Sequence, residues 1–101
     1  MSAAKVFGKA MVSGNAKVYD NAEVYGDSKV FGNAIVYGNA EIYSDAEVFG
    51  DAEIYGNANV YGEANVFENA EIYGDAKVWG KTKVYGNAKV YDKKIKELRC
   101  N

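Results

Sequence analysis

The sequence predicts an all-β solenoid of triangular cross-section, built from parallel coils of about 18 residues, with about five coils. Three observations carry that prediction. A six-residue unit, Ala-x-Val-Tyr-Gly-Asn in its commonest form, runs from Ala4 to Lys93 in fifteen copies without an insertion. Each unit alternates apolar and polar residues and then closes on a turn pair. The departures from the unit sort into columns when every third unit is aligned.

The first four positions of the unit predict a short strand. Position one is Ala, replaced only by Ser28 and Thr82, and position three is always Val or Ile. Position two is mostly charged or polar, as at Lys5, Lys17, Glu23, Lys29 and Glu41. A period of two over four residues puts one face inward, and the branched β-carbons of Val and Ile suit a pleated surface. Positions five and six, Gly-Asn or Gly-Asp, predict a corner, because both residues tolerate the left-handed region. A meander of hairpins is the competing arrangement, but strands of about four residues bury too little in that form. Corners instead let each strand stack in parallel on an identical strand one coil away, at about 4.8 Å per coil. Proline is absent, as expected where almost every N–H is needed in a ladder.

The coil length follows from the irregular positions. Taking every third unit, position six reads Lys9, Asp27, Asp45, Glu63, Lys81 in the first column. It reads Asn15, Asn33, Asp51, Asn69, Asn87 in the second and Asn21, Asn39, Asn57, Asp75, Lys93 in the third. All seven turn asparagines avoid the first column. Phe31, Phe49 and Phe67 fall in the second column, and Tyr19, Tyr37, Tyr55, Tyr73 and Tyr91 fill the third. Five coils at the strand spacing make a prism roughly 24 Å tall. The chain reads as a single domain, 1–101, with repeats over 4–93 and a short C-terminal cap over 94–101 in which Ile95 and Leu98 form one helical turn over the last coil.

Val18-Tyr19-Asp20-Asn21-Ala22-Glu23 and its fellows resemble the hexapeptide repeat of left-handed parallel β-helix proteins. That resemblance covers about 90 of the 101 residues and implies a left-handed coil. The family is best known for acyltransferases that use a histidine as general base, commonly near a loop extruded from a coil, and some relatives hold a metal by three histidines. This chain has no histidine and no inserted loop, so neither activity carries over, and no catalytic residue or cofactor is expected. The position after the aliphatic residue is aromatic here, where the family's repeat is usually small or acidic.

Charge is segregated along the chain. From Val30 to Ala76 there are nine acids and no Lys or Arg, whereas from Lys77 onward eight basic residues face only Asp92 and Glu97. The stacked carboxylates Asp27, Asp45 and Glu63 are the one candidate calcium site, set against the simpler expectation that they splay into water. Nucleic-acid binding is not expected, since the aromatics recur through the acidic waist as much as at the basic end. No membrane association is expected either, since no apolar run approaches a span. The N-terminus lacks an apolar signal-type stretch and the only cysteine is Cys100, so a cytoplasmic location is the expectation.

All fourteen aromatic residues occupy position four, where alternation turns them outward. Three vertical ladders of rings follow, and so much ring surface marks an interface. The expected function is therefore a non-catalytic structural module forming a homo-oligomer, a trimer or a side-by-side dimer. Its expected contact residues are Ile35, Tyr19, Tyr37, Tyr55 and Tyr73 on the third face, with Phe31, Phe49 and Phe67 on the second. Ile35 leads that group because it is apolar at the outward position two. Two other readings stay open: a carbohydrate-binding module using the Tyr ladders, and a degenerate acyltransferase that keeps the fold without the site.

Overall fold

The computed structural model describes residues 4–91 and the backbone of Lys94 and Ile95. Among these residues the chain is a parallel β-solenoid. The first coil carries β1 (Lys5–Val6), β2 (Met11–Val12) and β3 (Lys17–Val18). The second carries β4 (Glu23–Val24), β5 (Lys29–Val30) and β6 (Ile35–Val36). The third carries β7 (Glu41–Ile42), β8 (Glu47–Val48) and β9 (Glu53–Ile54). The fourth carries β10 (Asn59–Val60), β11 (Asn65–Val66) and β12 (Glu71–Tyr73). The fifth carries β13 (Lys77–Val78), β14 (Lys83–Val84) and β15 (Lys89–Tyr91), and β16 (Lys94–Ile95) follows. Every third strand pairs in parallel, which makes three sheets: β1-β4-β7-β10-β13-β16, β2-β5-β8-β11-β14 and β3-β6-β9-β12-β15. Partners within each sheet are three units apart, as in Lys17↔Ile35 and Ile35↔Glu53. The coil length and the three faces expected from the sequence are therefore those of the structure.

The strands are two or three residues long, shorter than the four-position segments expected. The ladder nevertheless continues round the corners. Tyr37 N–H donates to Ile54 O at 2.9 Å, and Asn39 N–H donates to Gly56 O at 2.8 Å, one coil on. Alternate N–H groups thus stay paired between coils through the turns, which satisfies the backbone in a structure that has no helix among its described residues.

The interior is filled by positions one and three alone. Val24, Val36, Ile42, Ile54, Val60, Ile72 and Val78, with the alanines between them, are fully buried from the second coil to the fifth. The two polar exceptions at position one are buried as well. Ser28 Oγ donates to Tyr25 O at 2.8 Å and Thr82 Oγ1 to Trp79 O at 2.7 Å, each reaching back three positions to a carbonyl at its own corner. A hydroxyl with such a partner fits where a methyl usually stands, because no polar atom is left unsatisfied.

Position five takes positive φ in every unit where it is described, and the corners are tight. At Gly62 (φ 69°) a β-carbon would lie 2.6 Å from the N atom of Gly80 one coil on. Asp20, Ser44 and Glu68 occupy this conformation without being glycine, each at φ 59°. Two of them accept a hydrogen bond across the gap. Gly38 N–H donates to Asp20 Oδ2 at 3.2 Å, and Gly86 N–H donates to Glu68 Oε1 at 2.8 Å. The carboxylate offsets part of the strain of a left-handed residue by pairing a main-chain donor.

The helical cap expected over 94–101 does not begin as a helix. Lys94–Ile95 is a strand that extends the first sheet, with Lys77↔Lys94 and Val78↔Ile95 in register. This pairing is one position shorter than the others, such as Asn59↔Lys77. At the usual offset the partner of Val78 would be Lys96; the register pairs Ile95 with it instead. The rest of the expected cap, including Leu98, lies outside the described residues.

Candidate functional site

Position four sends its side chain out of each sheet, and the register of one coil sets each ring beside the next. The third sheet carries Tyr19, Tyr37, Tyr55, Tyr73 and Tyr91, with successive ring centroids 5.0, 5.0, 5.1 and 5.3 Å apart. The second carries Phe31, Phe49, Phe67 and Tyr85 at 4.8, 5.1 and 5.2 Å. The first carries Phe7, Tyr25, Tyr43, Tyr61 and Trp79 at 4.8, 5.0, 4.8 and 5.8 Å. The planes lie within 16° of parallel in every pair. Such spacing follows from the strand separation, and offset stacking of this kind contributes about 0.5–1.5 kcal/mol per pair. The first ladder was not among the contact residues expected from the sequence, yet its stack is as continuous as the third.

The inner rings are half-buried, because each covers the faces of its neighbours. Ile35 is half-buried too, in register between Lys17 and Glu53 on the third sheet. The large apolar side chains that remain most open belong to the ends. They are Val6, Phe7, Met11 and Tyr19 in the first coil and Tyr91 in the last.

Carboxylates of position two reach the phenols of the preceding coil. Tyr25 Oη donates to Glu41 Oε1 at 3.5 Å and Tyr55 Oη to Glu71 Oε1 at 3.4 Å, both long bonds. Burial, and next to it the Glu71 carboxylate, pushes the Tyr55 phenol up to about 12. Burial is also the first cause of the raised values of Tyr25, Tyr37 and Tyr43, followed by Glu41, Glu53 and Tyr61 respectively. A phenol raised in the folded state favours folding fully below its ordinary value near 10, and that contribution is lost as pH climbs through the folded value. Stability is therefore expected to fall between about pH 10 and 12. Circular-dichroism melts across this window test it, alongside the phenolate absorbance band; a melting temperature flat over the window contradicts it.

Turn residues form a second kind of ladder, visible in the sequence as columns but not as bonds. Asn15 Nδ2 donates to Asn33 Oδ1 at 3.2 Å, and Asn33 Nδ2 to Asp51 Oδ1 at 3.3 Å. On the next corner Asn21 donates to Asn39, Asn39 to Asn57 and Asn57 to Asp75, at 3.3, 3.2 and 3.2 Å. Both runs end on a carboxylate, which accepts and has no N–H to pass on. The signal was present in the columns of every third unit: an amide repeated at each coil has both a donor and an acceptor for its neighbours, and Asp closes the run.

The calcium candidates Asp27, Asp45 and Glu63 stand on one corner in successive coils, and all three are exposed. Among the described residues no group of three or more His, Cys, Asp or Glu side chains converges to hold a metal ion. No protein-family model matches the chain, and neither a curated protein nor a solved structure does.

Proposed function

We propose that the chain is a non-catalytic structural β-solenoid that associates side by side with copies of itself, with the third sheet's aromatic face at the contact. The observation that supports this reading is the continuous ring ladder Tyr19-Tyr37-Tyr55-Tyr73-Tyr91, half-exposed along the solenoid, with the apolar Ile35 at an outward position of the same sheet. A rigid, flat row of half-exposed rings supplies contact area at little entropic cost on association. The carbohydrate reading is less favoured by the same geometry. Sugars stack on ring faces, and here each inner ring turns its faces to its neighbours, leaving edges and hydroxyls outward. The hexapeptide resemblance supports placing the chain in the left-handed β-helix family as a member without the histidine chemistry, but no family match adds to it.

Light scattering and sedimentation of the purified chain at low and moderate salt test the proposal. A dimer or trimer is expected, and Ile35→Lys is expected to return it to monomer with its circular-dichroism spectrum unchanged, because the side chain points away from the core. A monomer at high concentration in both salts overturns it.

A further inference from the structure

Stacking does not need a hydroxyl. Phe31, Phe49 and Phe67 on the second sheet lie 4.8 and 5.1 Å apart, much as Tyr37 and Tyr55 on the third lie 5.0 Å apart. The first and third sheets nevertheless carry a phenol at every rung except Phe7 and Trp79. A phenol differs from a phenyl ring in a way that bears on chemistry. It gives up one electron readily when its O–H proton can leave at the same time, and an indole does the same through its N–H. A phenyl ring has neither route.

The first ladder has a distinct start and finish. Trp79, the one tryptophan of the chain, lies 5.8 Å from Tyr61, which lies 4.8 Å from Tyr43, which lies 5.0 Å from Tyr25. Successive planes are within 6° of parallel, so neighbouring π-systems meet directly and an electron needs no bridging group. The four rings are half-buried, which leaves an edge of Trp79 within reach of solvent. At the other end Tyr25 Oη donates to Glu41 Oε1 at 3.5 Å, so a carboxylate stands by to take the phenol proton. Burial, and next to it Glu41, raises the Tyr25 phenol, which therefore carries its proton at neutral pH. Beyond Tyr25 the Phe7 ring, 4.8 Å away, has no O–H or N–H to lose and ends the run. A phenoxyl radical whose proton has passed to a base is lower in free energy at neutral pH than an indolyl radical, so the direction is from Trp79 to Tyr25.

We infer that the first ladder is a radical relay: an outer-sphere one-electron oxidant takes an electron from Trp79, and the vacancy passes through Tyr61 and Tyr43 to rest on Tyr25. At Trp79 the electron goes to the oxidant and the indole N–H proton to water. Tyr61 returns an electron to the indolyl radical, water returns the proton, and the Tyr61 phenol releases its own proton to water as it becomes a phenoxyl radical. The same exchange repeats from Tyr61 to Tyr43 and from Tyr43 to Tyr25, where the proton passes to Glu41 instead. The net change is one electron on the oxidant, one proton on Glu41 and a neutral phenoxyl radical at Tyr25. A one-electron donor in solution, with the proton handed back by Glu41, resets it. The relay thus carries an oxidising equivalent over three coils. It is separate from the third sheet's face and does not depend on side-by-side association.

Pulse radiolysis with the azide radical, which oxidises indole in preference to phenol at neutral pH, tests the relay in the full chain. Indolyl absorption is expected to decay as tyrosyl absorption grows, in a first-order phase independent of protein concentration. Tyr61→Phe keeps a stacked ring but leaves Tyr43, two coils from Trp79, as the nearest phenol of the ladder, and is expected to slow that phase. Tyr61→Phe combined with Tyr43→Phe is expected to lose it, whereas Tyr55→Phe on the third sheet is expected to leave it unchanged. Each variant is checked for an unchanged circular-dichroism spectrum. Electron paramagnetic resonance of the frozen product is expected to show one predominant tyrosyl species that Tyr25→Phe replaces with another. Glu41→Gln, which cannot take the proton, is expected to leave the radical spread over the three tyrosines. Indolyl decay without tyrosyl growth, a rate that scales with protein concentration, a phase untouched by the double variant, or a product spectrum identical in the parent and Tyr25→Phe would each overturn the inference.

Discussion

Truncating Ile54 to alanine is expected to destabilise the solenoid by about 2–5 kcal/mol. Ile54 is fully buried in the third coil and lies in register between Val36 and Ile72. The interior is built only from Ala, Val and Ile with the two bonded hydroxyls, so no long or flexible side chain is present to move into the space. The surrounding backbone is held by strand pairing above and below, which prevents collapse and leaves a cavity. Val12→Ala in the first coil serves as the comparison. Its side chain is only half-buried, and its truncation is expected to cost roughly 1 kcal/mol. Equilibrium urea unfolding measures both, and equal losses at the two positions would refute the idea that the core is sealed only from the second coil onward.

Gly62→Ala is expected to cost about 2–4 kcal/mol, although it adds a single methyl group. Two penalties combine: a left-handed conformation at φ 69°, and a β-carbon 2.6 Å from the N atom of Gly80. That neighbour is main chain in a paired coil and cannot rotate away. The coils must part locally, which weakens the bond from Glu63 N–H to Gly80 O, now 2.9 Å. Gly62→Asp is the informative companion. The larger side chain is expected to be the milder change, because Asp20 and Glu68 in the same conformation accept the N–H of the glycine one coil on. Denaturant unfolding and hydrogen exchange at the Gly80 amide separate the outcomes. An alanine variant as stable as the parent, or an aspartate variant worse than alanine, contradicts this account of the corner.

Much of the architecture was legible because the determining contacts repeat. The alternation of Ala22, Glu23 and Val24 is local and sets which side faces in. The recurrence of Phe31, Phe49 and Phe67 at every third unit reports which units touch, since stacked positions share one environment. The end of the pattern was less legible. Lys94-Ile95-Lys96 breaks the unit, and a helical turn satisfied the spacing of Ile95 and Leu98. The structure instead pairs Ile95 opposite Val78, which continues a sheet already templated by five rungs. The candidate surface was legible as a set of outward rings. Its burial was not, since alternation assigns a direction to Tyr55 and says nothing of how far Tyr37 and Tyr73 cover it.

The all-β class, the coil of three units and the inward Ala and Val or Ile columns were readable in the sequence alone. These follow from period, residue type and the likeness of stacked positions, all properties of the chain in one dimension. Coil packing set the rest: the rings close on one another, amides link in runs to Asp51 and Asp75, and Asp20 and Glu68 bond across a glycine corner. Each of those depends on the distance and orientation of groups about one coil apart, which are fixed when the coils pack.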